Sequence, residues 1–179
     1  RQDLRRVDSI LRQAVVIRKL YDNIVSYLSS LFSSGSMTEE QATQTAGMMY
    51  ILSDIERTDA LCTEATESLQ SILEKKHKLS PEAVEDLCRG LQIIEDMYQN
   101  VLEVIRTGNG EDARKIVHKK DNVLDLTLKL RKNHMKRVKQ GACDAEMTSD
   151  FTRILHSFDR IGNSCANIAD AALTGVSFE

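Results

Sequence analysis

The sequence predicts an all-α protein that folds as an elongated antiparallel helical bundle. Residues that break or cap helices are rare, with one Pro and eight Gly in 179 residues. Aromatic residues make up only 4% of the chain, so its core must be built from aliphatic side chains. Apolar residues recur every three or four positions through five long segments, and no segment alternates as a strand does. We therefore expect five helices joined by short connections.

The first two helices have clear ends in the sequence. The apolar spacing predicts the first helix from about Asp3 to Phe32, and the Ser- and Gly-rich residues 33–36 end it. Thr38 is a good N-cap for the second helix, because a hydroxyl accepts a hydrogen bond from the first turn. The second helix frays in the basic residues 75–78, where the helix dipole favours cations.

The remaining three helices are bounded by similar signals. Ser80 followed by Pro81 is an N-cap with proline at the first helical position, and the glycines of residues 108–110 end this third helix. The fourth helix is predicted from about Glu111 to Lys139 and the fifth from about Thr148 to Leu173. For the fourth helix, the predicted inward residues are Ala113, Ile116, Val117, Leu124, Leu128, Met135 and Val138.

The chain contains an internal repeat of about 100 residues. Residues 56–65 align without a gap over residues 159–168, with an acid, an Arg and a Cys in common. The repeat predicts two copies of one helical unit in a compact bundle, residues 1–78 with two helices and residues 79–179 with three. The third helix has no counterpart ahead of the first, so the first copy lacks one helix. Cys62 and Cys165 share a repeat position, and we expect them at matching depths as small apolar residues.

Charge and cysteine usage exclude several classes of protein. The net charge is −3 with both signs interspersed, so we expect no nucleic-acid binding. The basic run from Arg131 to Lys139 is read as a solvated helix face, or else as a contact with an anion or an anionic membrane. No apolar run reaches the roughly 18 residues of a membrane span, so we expect no direct membrane insertion. Four Cys without a C-x-x-C pair indicate reduced thiols in a cytoplasmic protein.

Side chains with oxygen ligands, four residues apart on two helices, are the candidate metal ligands. Asp121 and Asp125 share one face of the fourth helix, and Asp159 and Asn163 share one face of the fifth. Asp121 falls on the predicted apolar stripe, where a carboxylate needs a cationic partner or a metal. Oxygen ligands from two adjacent helices can converge on a cation. The alternative is that Asp121 sits at the edge of the stripe and pairs with a Lys or Arg.

Residues 159–170, D-R-I-G-N-S-C-A-N-I-A-D, resemble the PhoU signature E-R-I-G-D-x-x-x-N-I-A-E. The resemblance implies two three-helix units in one bundle and a regulatory protein rather than an enzyme. It also implies metal binding by acid-x-x-x-acid pairs, here of a divalent or iron cation. Matched by position, the ligands would be Asp121, Asp125, Asp159 and Asn163.

The first repeat matches the metal-binding pattern less well. Only Asp22 and Glu56 match by position, Arg18 stands where an acid is expected, and Asp59 is displaced by one residue. The resemblance therefore implies a site in the second repeat.

The resemblance also suggests a context for the chain. The chain begins with Arg rather than Met and lacks the first helix of the family. In both respects it resembles the C-terminal cytoplasmic domain of bacterial sodium/phosphate cotransporters. The partner would then be the transmembrane part of the same transporter, on the cytoplasmic side of the inner membrane. A stand-alone PhoU-type regulator and a carboxylate-bundle metalloprotein are the alternatives. With five helices in place of six, we expect uncovered apolar faces that form a homodimer or hold a neighbour's helix.

Overall fold

The computed structural model describes residues 4–173, and within this range the chain is helical and contains no strand. The helices are α1 (Leu4–Ser33), α2 (Glu39–Glu74), α3 (Pro81–Thr107), α4 (Gly110–Lys139) and α5 (Thr148–Leu173), with a short 3-10 turn, Ala145–Met147, before α5. The predicted all-α bundle of five helices is confirmed. The predicted start at Asp3 and the end of the second repeat, 174–179, lie outside the described residues.

The helix ends follow the capping signals in the sequence. The Gln41 amide donates to Thr38 Oγ1 at 3.2 Å, and the Thr38 amide donates to Gln41 Oε1 at 2.9 Å. This capping box satisfies two amides that the helix itself leaves unpaired. At the start of α3 the Ala83 amide donates to Ser80 Oγ at 3.2 Å. Gly108 ends α3 in the left-handed conformation, with a φ of 65° that favours glycine.

Helix α5 is the centre of the bundle. It packs against α2, α3 and α4, while α3 and α4 also pack on each other and α1 packs chiefly on α2. The second half of the chain is therefore a three-helix unit, and the α1–α2 hairpin joins it through α2. At Gly162 an added Cβ would lie 3.3 Å from Val123 Cγ1, so α4 and α5 approach closely there.

The predicted inward face of α4 is wrong along much of the helix. Leu124, Leu128 and Met135 are 43%, 52% and 42% exposed. The side chains that α4 buries are Ala113, Ile116, Val123, Thr127, Leu130 and His134. Helix α4 has two apolar stripes about a third of a turn apart, and α3 and α5 cover the one that contains His134.

The two repeat-related thiols lie at different depths. Cys165 is buried and Cys62 is exposed, so the expectation of matching depths is wrong. The reason is the number of neighbours, because α5 is packed against three helices whereas α2 packs chiefly against α1 and α5. The division into two repeats stays a prediction.

Helix α1 has two apolar stripes and covers one of them. Val7 and Leu28 are buried on the side that faces α2. The other stripe is exposed and consists of Ile10, Ile17, Leu20, Ile24 and Tyr27, between 39% and 63% exposed. The expectation that apolar faces remain uncovered is confirmed on α1.

Candidate functional site on helices α4 and α5

The sequence signature lies on the buried central helix. In residues 159–170, Ile161, Cys165 and Ile168 are buried in the core of the bundle. Small residues at Gly162 and Ala166 are buried as well, which lets the neighbouring helices pack close to the α5 backbone. The signature is therefore first of all a helix-packing surface.

Helices α2 and α5, which carry the two copies of the repeat motif, pack against each other and share polar contacts. Asn167 Nδ2 on α5 donates to Asp54 Oδ1 on α2 at 3.4 Å. Asp54 is 4% exposed, and Arg57 Nη1 lies 3.9 Å from the same oxygen. An amide and a guanidinium thus offset the desolvation of a buried carboxylate.

The same interface has a second polar contact nearly five turns of helix away. Ser71 Oγ on α2 donates to Asp150 Oδ2 on α5 at 2.8 Å. Between the two contacts, Arg153 on α5 lies 3.8 Å from Glu64 on α2. The hairpin is therefore attached to the three-helix unit by directional polar contacts as well as by apolar packing.

The predicted metal ligands of the second repeat differ in exposure. Asp121 and Asp125 are exposed, so the interpretation of Asp121 as a carboxylate facing the core is wrong. Asp159 is half-buried, and Asn163 Nδ2 donates to the Asp159 carbonyl oxygen at 3.0 Å within α5. In residues 4–173, no three His, Cys, Asp or Glu side chains are grouped as metal ligands would be. Metal binding at these four residues stays a prediction.

In the first repeat an arginine lies between the two helices. Arg18 Nη2 of α1 is 3.8 Å from Glu56 Oε1 of α2. The pKa of Asp59 is raised, chiefly because the carboxyl group is partly buried. The charge of Arg18 opposes this rise, and the charge of Glu56 adds to it. Arg18 thus provides the positive charge near these two carboxylates. Asp22, the remaining matched position, is exposed.

The repeat-related thiols of Cys62 and Cys165 are poor nucleophiles. Burial, followed by the charges of Cys62 and Asp54, raises the pKa of Cys165 to about 12. Desolvation by the surrounding helices, followed by Asp59, raises the pKa of Cys62 as well, although its side chain reaches the surface. Because the thiolate is the reactive form, both residues behave as small apolar side chains near neutral pH.

A buried polar cluster lies at the C-terminal end of α4, and the sequence analysis does not predict it. His134 is fully buried and stacks on Phe151, with ring centroids 4.1 Å apart and planes 14° apart. Its Nε2 lies 3.3 Å from Thr148 Oγ1. Arg137 Nη2 donates to Asp86 Oδ2 on α3 at 2.8 Å. His134 lies four residues after Leu130 and so shares its helix face. That spacing indicates burial only when it is known that the face of Leu130 is the covered one.

A cleft of about 370 Å³ opens beside this cluster, between the start of α3 and the end of α4. It is lined by Glu82, Asn133, Lys136, Arg137, Gln140 and Ala142. Arg137 is partly neutralised by Asp86, and Glu82 contributes a negative charge, so the cleft itself is not selective for anions.

Comparison with known families covers the second half of the chain. Residues 87–172 match the family model described as the PhoU domain. The match spans most of α3, all of α4 and nearly all of α5, which is just under half of the sequence, and it leaves the α1–α2 hairpin outside. None of the curated proteins matches the chain. Within the part that the structure describes, no helix is long and apolar enough to cross a bilayer. Residues 87–172 are therefore similar to the PhoU domain.

Proposed function

We propose that this chain is a regulatory domain of phosphate transport, the cytoplasmic domain of a sodium-dependent phosphate transporter at the bacterial inner membrane. The observation that carries the proposal is the match of residues 87–172 to the PhoU domain, with its signature on the central helix. The domain would act by binding and conformational change rather than by catalysis. The partner would be the transmembrane part of the same transporter.

The uncovered stripe of α1 supports a role in binding. Five large apolar side chains, from Ile10 to Tyr27, are exposed along one side of the helix. Gln13, which completes the three-four spacing between Ile10 and Ile17, is uncharged. Exposed apolar surface without charge is typical of an interaction site. The alternative partner for this stripe is a second copy of the chain, which would form a homodimer through α1.

The α1–α2 hairpin is the element that we expect to move. Its attachment to α5 includes the Asp54–Asn167 and Ser71–Asp150 hydrogen bonds. A partner that binds the hairpin in one position better than in another shifts the equilibrium between the two. Such a shift changes transport only if the transporter has different affinities for the two positions.

A transport assay tests the proposal with a variant on the uncovered stripe. We expect that Leu20→Glu with Ile24→Glu alters the response of phosphate uptake to external phosphate. Both residues are exposed, at 56% and 42%, so the domain should stay folded. The matched control is Leu91→Glu, which is 55% exposed and lies on α3, a helix that packs chiefly on α4 and α5.

The family match supports a stand-alone regulator as well as a transporter domain. Deleting the whole domain distinguishes these two alternatives. A transporter domain changes uptake in reconstituted vesicles that contain no other protein. A stand-alone regulator changes only the cellular response to phosphate starvation. Uptake that is identical with and without the chain in both settings would refute a regulatory role.

A further inference from the structure

The second half of α4 carries a row of lysines on the outer side of the bundle. Between Leu126 and Gln140 the sequence has six Lys or Arg and no acidic residue. Four of these cations recur at intervals of three or four and therefore share one helix face. They are Lys129, Lys132, Lys136 and Lys139, and all four are exposed.

The four lysines have no ion-pair partner in the part of the chain that the structure describes. Among residues 4–173, no carboxylate lies within 4.0 Å of their ammonium groups, whereas Lys115 on the same helix pairs with Glu111 at 3.2 Å. The other two cations of this segment are different, because Arg131 is half-buried and Arg137 turns inward to Asp86. The row therefore presents four positive charges to the surroundings.

An apolar stripe runs beside the lysine row. Leu124, Leu128 and Met135 are exposed, and at 100° per residue they lie between the lysines and the edge covered by α5. Aliphatic side chains next to lysines are typical of helices that lie on anionic membranes. The lysine stems cover apolar surface while their ammonium groups reach the headgroups.

We propose that the outer face of α4, formed by the four lysines with Leu124, Leu128 and Met135, docks on the surface of an anionic phospholipid bilayer. The lysines lie among the lipid phosphates, and the leucines and methionine enter the boundary between headgroups and acyl chains. Because the chain as a whole has a net charge of −3, its overall charge does not attract it to such a surface. The attraction must come from this local face.

The chemistry of the face favours lipid over an acidic protein. Protein interfaces are centred on aromatic and arginine anchors that fit fixed pockets. The α4 face has neither, and instead offers flexible point charges along roughly 15 Å of helix. Asp121 and Asp125 continue the row toward the N-terminus of α4, so the C-terminal half of the helix makes the contact.

Vesicle flotation of the 179-residue chain tests the proposal. We expect binding to vesicles of mixed phosphatidylcholine and phosphatidylglycerol at physiological salt, and none to phosphatidylcholine alone. Each lysine near an anionic surface contributes enough for about a fivefold change in binding, so Lys132→Gln with Lys136→Gln should weaken it about thirtyfold. The matched control is Lys119→Gln with Lys120→Gln, which removes the same charge from α4 outside the row.

Leu124→Ser with Leu128→Ser tests the apolar part and should weaken binding to the same vesicles severalfold, with unchanged helical circular dichroism. Each of three results would overturn the proposal. The first is no binding of the unaltered chain to the anionic vesicles. The second is an equal loss in both lysine variants, because net charge alone would then account for binding. The third is a lysine row that binds an acidic protein while vesicles remain unbound. The proposal is independent of the proposed function, and either can fail alone.

Discussion

The buried Asp86–Arg137 pair offers a sharp test of the structure. Its side chains are 8% and 13% exposed, and Arg137 Nη2 lies 2.8 Å from Asp86 Oδ2. Removing one member of a buried pair leaves an uncompensated charge and costs about 3–5 kcal/mol. Arg89 remains near Asp86 at 3.9 Å but is largely exposed, so it compensates only in part. We therefore expect Arg137→Met to lower the free energy of unfolding by about 3 kcal/mol.

The double variant separates charge from packing. Asp86→Leu with Arg137→Met replaces both charges with apolar side chains, so no buried charge remains. Such replacements are often neutral or stabilising. We expect the double variant to lie within about 1 kcal/mol of the original protein, with a coupling energy of about 2 kcal/mol or more in the cycle.

Urea unfolding followed by far-UV circular dichroism measures these values, provided that the slope with denaturant stays constant. A loss below about 1 kcal/mol for Arg137→Met would mean that Asp86 is hydrated rather than buried. A double variant as unstable as the sum of the single ones would show that the effect lies in side-chain packing. Either result would refute the reasoning.

Three further predictions concern protonation, thiols and metal. Burial, and then the charge of Arg137, lowers the pKa of His134, so folding favours the neutral ring. The free energy of unfolding should therefore fall as pH drops below about 6.5, and it should fall less in His134→Gln. Urea unfolding at each pH measures both. With its pKa near 12, Cys165 should resist iodoacetamide in the folded protein, whereas Cys62 should react increasingly as pH rises, and mass spectrometry of the labelled peptides checks this order. If a divalent cation binds the second repeat, Asp121→Asn should weaken it without unfolding the bundle, whereas Asp96→Asn on α3 should not; metal content that is equal in both variants contradicts the site.

Helix ends could be predicted from the sequence because their signals are local. Thr38, the Ser80–Pro81 pair and Gly108 each act on amides or carbonyls within one turn of their own helix. Tertiary packing has little influence on these interactions. The order and approximate bounds of the five helices therefore follow from the sequence alone.

The buried side of α4 could not be predicted in the same way. Helix α4 has Leu124, Leu128 and Met135 on one stripe, and Val123, Thr127 and Leu130 on another. The first stripe is the more apolar, yet the second is buried. The stacking of His134 on Phe151 and the Arg137–Asp86 pair contribute to burial on that side, and both depend on residues of other helices.

Contacts between helices limit the prediction of the candidate site for a related reason. Spacing of four residues places Asp121 and Asp125 on one face of α4, but it does not determine whether that face packs against α5. The Asp54–Asn167 hydrogen bond joins residues 113 positions apart, which no local pattern shows. Its only trace in the sequence is that Asn167 lies in one copy of the repeated motif and Asp54 lies two residues before the other. Internal repeats thus indicate which segments to compare, and the rotation of each helix decides what they touch.

The distribution of charge connects the two proposed surfaces. Helix α2 contains eight Asp or Glu and a single Arg, whereas α4 contains ten Lys or Arg and four acids. Both helices pack on α5, which holds the acidic and the basic helix in one unit. An anionic bilayer attracts α4 and repels α2, so the outer face of α4 rather than α2 turns toward the lipid. The uncovered stripe of α1, which packs on α2, then stays accessible to a protein partner. A domain held in this orientation can bind the membrane and a partner at the same time, and higher salt should weaken the first contact more than the second.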